Sequence, residues 1–149
     1  EPKIETWVPF LKNLVGKPDE DTYLVGHSIG CQTILRYLGG LREDVRLGGV
    51  ILVAGWINKL IGVYGEDEIE IARPWIETPI DFDSVKNHTK NVFAVFSDDD
   101  EFVSLDNVDL FKEKLGAKTI VQHGRGHFSQ ETGITELPIV LEELLKMTK

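Results

Sequence analysis

The sequence contains little cysteine and no long hydrophobic run. Its 149 residues include one cysteine, Cys31, so no disulfide can form within the chain and nothing points to an oxidising compartment. A cytoplasmic location is therefore expected. No apolar stretch approaches the roughly 18 residues that a membrane-spanning helix needs, which argues against a membrane protein.

Positive charge is also scarce. Lysine and arginine number 16 against 25 aspartates and glutamates, which gives a formal charge of −9 and a pI near 4.9. Because phosphate backbones are bound by basic patches, this balance argues against a nucleic-acid partner. The hydrophobic fraction of 42% and the charged fraction of 28% are those of an ordinary globular protein.

Helical and strand-like hydrophobic patterns alternate along the chain, with no internal repeat, low-complexity tract or Gly/Ser linker. The apolar periods predict strands at 21–26, 48–55, 91–97 and 118–122. They predict helices at 3–16, 29–40, 81–88, 104–116 and 135–147, the fourth of them capped by Ser104. Strands separated by helices imply right-handed crossovers and a mostly parallel sheet covered on both faces. We therefore expect a single three-layer α/β domain over residues 1–149.

Residues 55–80 interrupt this alternation. A connection of that length in an α/β domain is usually functional, as a lid or a pocket wall. The alternative is a surface excursion whose aromatic side chains pack down on the sheet. Trp56, Trp75 and Tyr64 are the candidate pocket walls, with core packing as the competing role for each.

A serine lies between two glycines where a predicted strand turns into a helix, in "YLVGHSIGC". Such a turn lifts the Ser28 hydroxyl out of the sheet, and it needs little side-chain volume at Gly26 and Gly30. The backbone N–H of Ile29 is then free at the helix start to stabilise an oxyanion. This pattern is typical of the nucleophile elbow of α/β-hydrolases.

A serine nucleophile needs a base and an orienting acid, and both follow in the expected chain order. The loop "SDDDEFVS" after the third strand offers Asp98, Asp99 and Asp100, and "DEFV" favours Asp100, with Asp99 as the fallback. The loop "HGRGHFSQ" after the fourth strand favours His127 as the base, with His123 as the competitor. A solvated acidic loop is the alternative interpretation of the three aspartates.

The remaining candidates have more ordinary interpretations. His27 precedes the serine and is expected to pack or to bind backbone, and His88 is expected at the surface or at a helix end. Cys31 is expected to be a small buried hydrophobe rather than a reactive thiol.

The chain resembles the YdeN/retinoblastoma-binding-protein-9 group of small serine hydrolases. The resemblance lies in "WVPFL", "VGHSIGC", "GVILVAG", "RPW" at 73–75, "FSDDDEFV" and "GRGHF". It implies a compact α/β-hydrolase with little cap, and it carries a catalytic triad onto Ser28, Asp100 and His127. We expect a metal-independent enzyme with no cofactor. The resemblance names no physiological substrate.

In one respect the chain departs from that group. Its members begin with an apolar strand, a His-Gly loop, a helix and a second strand ahead of the segment that matches "EPKIETWVPFL". That block supplies a second oxyanion N–H and a partner for the strand at 21–26. We expect roughly 40 to 60 further residues upstream, because the first strand otherwise has an uncovered apolar edge.

Two functions follow from these observations. The first is a carboxylesterase-type serine hydrolase acting on a small-molecule acyl substrate, where ester, thioester and amide remain open. The second is a protein-binding module that keeps the fold without useful turnover and meets its protein partner through the loop at 55–80.

Overall fold

Four parallel strands form the centre of the fold in the computed structural model, which describes residues 1–149. The strands are β1 (Tyr23–His27), β2 (Gly49–Val53), β3 (Val92–Ser97) and β4 (Lys118–Gln122). The helices are α1 (Ile4–Val15), α2 (Ile29–Gly39), α3 (Glu66–Glu77), α4 (Phe82–His88), α5 (Asp106–Leu115) and α6 (Pro138–Met147), with a short 3-10 helix at Gln130–Thr132.

The sheet has the strand order β1-β2-β3-β4, with all neighbours parallel. Val25 lies opposite Ile51, which in turn lies opposite Phe93, and Ser97 lies opposite Gln122. The carboxyl ends of all four strands therefore meet at one edge of the sheet, where an open parallel sheet carries its functional groups.

Helices cover both faces of the sheet, as the sequence predicts. Alternate residues of β2 point to opposite faces, so that Val50 and Leu52 join a core of 19 buried residues with α1 to α5, whereas Ile51 and Val53 pack with α6. The face with the larger cluster is the main core. Because both faces are buried, the central strands are apolar at consecutive positions.

The region at 55–80 contains a helix that the sequence analysis did not predict. α3 occupies Glu66–Glu77, begins with three acidic residues and contains Pro74. The negative charges of the first turn stabilise the helix by interacting with the positive end of its dipole. The buried side chains of Ala72 and Trp75 pack the helix against the core. The region is therefore a packed helical excursion rather than one long loop.

The outer edge of β1 has no strand beside it. An apolar groove of about 660 Å³ runs between this edge and the first helix. Val25 is 50% exposed there and Phe10 is 68% exposed. The expectation of further residues upstream stays a prediction.

One smaller prediction was wrong. Ser104 does not cap α5: the helix begins at Asp106 after Leu105, and the Ser104 hydroxyl is buried without a hydrogen-bond partner. His88 lies at a helix end, one of its two expected places, since it is the last residue of α4; it is buried there, and its Nδ1 donates to the carbonyl of Val45 over 2.8 Å. No helix of the structure combines the length and the apolar character that crossing a membrane requires.

Candidate active site

Ser28 lies at the junction of β1 and α2 with backbone angles of φ 52° and ψ −119°. A non-glycine residue with these angles is strained, and it persists only where the surrounding structure holds it. Its N–H donates to the carbonyl of Val53 over 2.9 Å, which ties the turn to β2. Ile29 is the first residue of α2, so its N–H has no acceptor within the helix.

The two glycines that flank the serine are not equivalent. A Cβ atom at Gly26 would lie 2.8 Å from Ile34 Cδ1 and 3.0 Å from the backbone N of Cys31. A Cβ atom at Gly30 would meet nothing within 4 Å. The close approach of β1 and α2 therefore requires glycine at 26, and the expectation that Gly30 is needed for the same reason was wrong.

His127 and Asp100 are hydrogen-bonded. The Nδ1 atom of His127 lies 2.9 Å from Asp100 Oδ2 and 3.1 Å from Oδ1. Asp100 also accepts the N–H groups of Phe102 and Val103, and 1% of its side chain is exposed. Since a carboxylate can only accept, His127 carries its proton on Nδ1, and the neutral imidazole leaves Nε2 as an acceptor.

Two aromatic rings lie close to the imidazole of His127. The ring centroid of His27 is 4.9 Å away and that of Phe102 is 5.1 Å away in an edge-to-face arrangement. His27 Nε2 also donates to the backbone oxygen of His127 over 2.7 Å. The prediction that His27 binds backbone is confirmed. The contact of Phe102 with His127 was not predicted, although the position of Phe102 two residues after Asp100 could have indicated it.

Two loops meet at this edge of the sheet: the acid loop, residues 97–103, and the histidine loop, residues 123–128. Asp98 Oδ2 lies 2.7 Å from Nδ1 of His123, and Asp98 Oδ1 accepts the N–H of Gly124 over 3.0 Å. These bonds lower the pKa of Asp98, and its carboxylate raises the pKa of His123. His123 therefore pairs with Asp98, at the exposed end of the loops.

Asp99 makes a different set of contacts. Its Oδ1 accepts the Ser97 hydroxyl and the N–H of Gly126, each over 2.7 Å. The Ser97 hydroxyl and then the Gly126 N–H lower the pKa of Asp99. Of the three aspartates, Asp100 is therefore the one that is hydrogen-bonded to His127.

The structure brings the elbow and the histidine loop together through His27. The Ser28 hydroxyl itself makes no hydrogen bond with His127. Catalytic hydrogen bonds are often long in unliganded enzymes and shorten when substrate binds. The contact between Ser28 and Nε2 stays a prediction.

Cys31 lies one turn into α2 and is fully buried. Its thiol donates to the carbonyls of Gly26 and Val53, and burial raises its pKa far above the ordinary value. A thiol that stays protonated is a poor nucleophile, so Cys31 joins α2 to the sheet as a structural residue.

Trp56 and Trp75 are 1% and 0% exposed and belong to the main core. The indole N–H of Trp75 donates to the carbonyl of Pro2 over 3.0 Å, and its ring packs against Trp7. Both rings therefore take the competing role of core packing, although the Trp56 indole N–H has no hydrogen-bond partner. A role of Trp56 and Trp75 as walls of a substrate pocket stays a prediction. Tyr64 is 86% exposed.

The structure contains no group of three or more His, Cys, Asp or Glu side chains that could hold a metal ion. The polar groups at the carboxyl edge are a serine at a strained turn, an imidazole with a free Nε2 and a buried carboxylate. This set of groups can transfer a proton between a hydroxyl and a leaving group.

Comparisons with known proteins identify the family of the chain. The family model for serine hydrolases matches residues 1–146. YdeN of Bacillus subtilis (strain 168) is 35% identical over 145 residues, which cover 97% of this chain and 73% of YdeN. The serine hydrolase RBBP9 of Rattus norvegicus is 29% identical over 139 residues, covering 93% of this chain and 69% of RBBP9.

The fold is also that of a solved relative. The crystal structure of the ydeN gene product of B. subtilis superimposes with a TM-score of 0.87 at 29% identity, covering 99% of this chain and 76% of that one. The family model and the YdeN match each span nearly all of this sequence. The chain belongs to the serine hydrolase family and has the α/β-hydrolase fold.

Proposed function

We propose that this hydrolase is of the carboxylesterase type and works through an acyl-enzyme formed on Ser28. His127 is the general base and then the general acid, and Asp100 orients the imidazole. The N–H of Ile29 is one donor to the oxyanion. A cytoplasmic location is part of the proposal, in keeping with the single buried cysteine.

The observation that carries the proposal is the hydrogen bond of His127 Nδ1 to the buried Asp100 carboxylate, at 2.9 Å. Two backbone N–H groups hold that carboxylate in place. The bond selects the tautomer in which Nε2 is unprotonated, and the same bond stabilises the imidazolium that forms when Nε2 takes a proton. The alternative interpretation, an acidic loop exposed to solvent, does not explain why the Asp100 carboxylate is buried.

The reaction follows from these roles in two balanced steps. His127 Nε2 takes the Ser28 proton while Oγ bonds to the acyl carbon, and the proton then passes to the leaving group as its bond to that carbon breaks. In the second step a water bonds to the acyl carbon and loses its proton to Nε2. The bond between that carbon and Oγ then breaks, Oγ takes the proton from Nε2, and the acid product leaves. In both steps the oxyanion lies at the start of α2, where the Ile29 N–H and the helix dipole stabilise negative charge.

The substrate class is a small-molecule acyl compound with an ester, thioester or amide bond. All three pass through the same tetrahedral intermediate, so the groups described here serve each of them.

Hydrolysis of an activated short-chain ester tests the proposal. We expect hydrolysis to require both Ser28 and His127, because a serine hydroxyl is a poor nucleophile without a base that accepts its proton. Ser28→Ala removes the nucleophile and is expected to lower kcat by about 10³-fold or more. Cys31→Ser is the matched control, since it alters a nearby side chain that the mechanism does not use. Wild-type activity in Ser28→Ala would show that the hydrolysis does not come from Ser28, whereas a wild type without Ser28-dependent hydrolysis would favour a protein-binding module.

A further inference from the structure

The acid loop and the histidine loop are joined by a ladder of side-chain hydrogen bonds that the triad does not require. β3 and β4 are paired up to Ser97 and Gln122, so the two loops leave the sheet side by side. Every residue of the histidine loop from 123 to 127 then binds a side chain of the acid loop. Asp98 binds His123 and Gly124, Ser97 binds Arg125, Asp99 binds Gly126 and Asp100 binds His127.

Asp99 is at the centre of this ladder. It accepts the N–H of Gly126, the residue directly before His127, over 2.7 Å. It also accepts the hydroxyl of Ser97, which in turn accepts the N–H of Arg125 over 2.9 Å. One carboxylate oxygen therefore holds two consecutive peptide groups of the histidine loop, one directly and one through Ser97.

The histidine loop needs this support because its backbone is unusual. Gly124 and Gly126 have φ of 66° and 52°, and Phe128 has φ of 51°. Glycines leave an isolated loop free to adopt many conformations, and a strained residue after His127 adds to the cost of the observed one. Hydrogen bonds from backbone N–H groups to a carboxylate are charge-assisted and directional, so they select one conformation.

We propose that Asp99 is a positioning residue for His127. It fixes the peptide groups at 125 and 126 so that Nδ1 stays on Asp100 and Nε2 stays aimed at the nucleophile. The inference rests on the proposed function of Ser28 and His127. Because a misplacement of about 1 Å lowers the rate by about 100-fold, the ladder matters more for turnover than for stability.

Kinetics of four variants test this role. Asp99→Ala removes the acceptor and is expected to lower kcat by about tenfold to a hundredfold, with KM within about twofold. Asp99→Asn keeps an oxygen that can accept both bonds, so we expect it to restore most of kcat. Asp98→Ala removes the same charge at the far end of the ladder and is expected to stay within about threefold of wild type. Ser97→Ala loses the link between Asp99 and the N–H of Arg125 but keeps the direct bond to Gly126. Its kcat is expected to lie between those of Asp99→Ala and Asp98→Ala.

A second readout does not depend on activity. The proton on His127 Nδ1, bonded to Asp100, is expected to give a low-field NMR resonance in the wild type and in Asp98→Ala. In Asp99→Ala this resonance is expected to broaden or move to higher field. If Asp99→Ala does not fold, Ser97→Ala and Asp99→Asn carry both measurements.

The proposal is overturned if Asp99→Ala keeps wild-type kcat and an unchanged resonance, if Asp98→Ala loses as much kcat, or if Asp99→Asn is as impaired as Asp99→Ala. A wild type that shows the resonance but no Ser28-dependent hydrolysis would count against the proposed function instead. In that case the resonance alone decides whether Asp99 positions His127.

Discussion

His27 donates its Nε2 proton to the backbone oxygen of His127 over 2.7 Å, and the two rings lie 4.9 Å apart between centroids. The residue before the proposed nucleophile therefore holds the residue proposed as its base. This bond links the elbow after β1 to the loop after β4, which lies at the opposite edge of the sheet.

Removing the His27 bond is expected to slow turnover without unfolding the protein. His27→Ala leaves the His127 carbonyl without this donor, and we expect kcat to fall by about tenfold as the loop relaxes. His27→Gln places an amide N–H within reach of the same carbonyl and is expected to keep more activity. Equal losses in the two variants would show that the hydrogen bond is not the reason.

Asp100→Asn is expected to lower kcat by about 10³- to 10⁴-fold while the fold is retained. The amide oxygen has to lie at the Oδ1 position, where it accepts the N–H groups of Phe102 and Val103. The amide NH₂ then faces His127 Nδ1 and forces the proton onto Nε2, which can no longer accept the serine proton. Circular dichroism checks the fold, and a kcat near that of wild type would remove Asp100 from the mechanism.

The flanking glycines of the elbow give a matched pair. Gly26→Ala is expected to destabilise the protein by about 1–3 kcal/mol, because its Cβ would meet Ile34 and the backbone of α2. Gly30→Ala has open space around its Cβ and replaces a helical glycine, so it is expected to be neutral or stabilising by up to about 1 kcal/mol. Urea unfolding of both variants measures this, and a reversed order would contradict the elbow packing described here.

The exposed pair of His123 and Asp98 is expected to make stability depend weakly on pH. The pKa of His123 is raised above 6.5, so its contribution is fully present below pH 6.5 and is lost as pH rises through the raised pKa. The pKa of Asp98 is lowered below 3.8, so its contribution is present above pH 3.8 and is lost as pH falls through the lowered pKa.

The Tm difference between wild type and His123→Gln is therefore expected to be greatest between pH 3.8 and 6.5 and to fall as pH rises through the raised pKa of His123. The difference is expected to be small, since solvent screens an exposed pair. A difference that does not fall as pH rises would show that the pair is not its cause.

Most of the fold could be predicted from the sequence because hydrophobic period and secondary structure agree in nearly every segment. β2 and β3 are continuous apolar runs that only a doubly covered parallel sheet buries. α3 escaped prediction because Pro74 lies inside it, and a proline usually marks a break in a helix. Burial of Trp75 against the core outweighs this local signal, and the sequence does not display that contact.

The candidate site could be predicted down to the pairing of Asp100 with His127, since the chain order and the strand ends already place the two loops together. The ladder through Asp99 could not, because three adjacent aspartates look alike until the two loops are seen side by side. His88 shows the same limit: the sequence places it before a strand but does not show its buried bond to Val45.

Covalent labelling with a fluorophosphonate, followed by mass spectrometry of the labelled peptide, tests most directly whether Ser28 is the nucleophile. The probe phosphonylates a serine only where a base activates the hydroxyl, so we expect one adduct in the wild type, on Ser28. We expect no adduct in Ser28→Ala and strongly slowed labelling when His127 is replaced by alanine. An unlabelled wild type, or an adduct on another residue that persists in Ser28→Ala, would contradict the assignment.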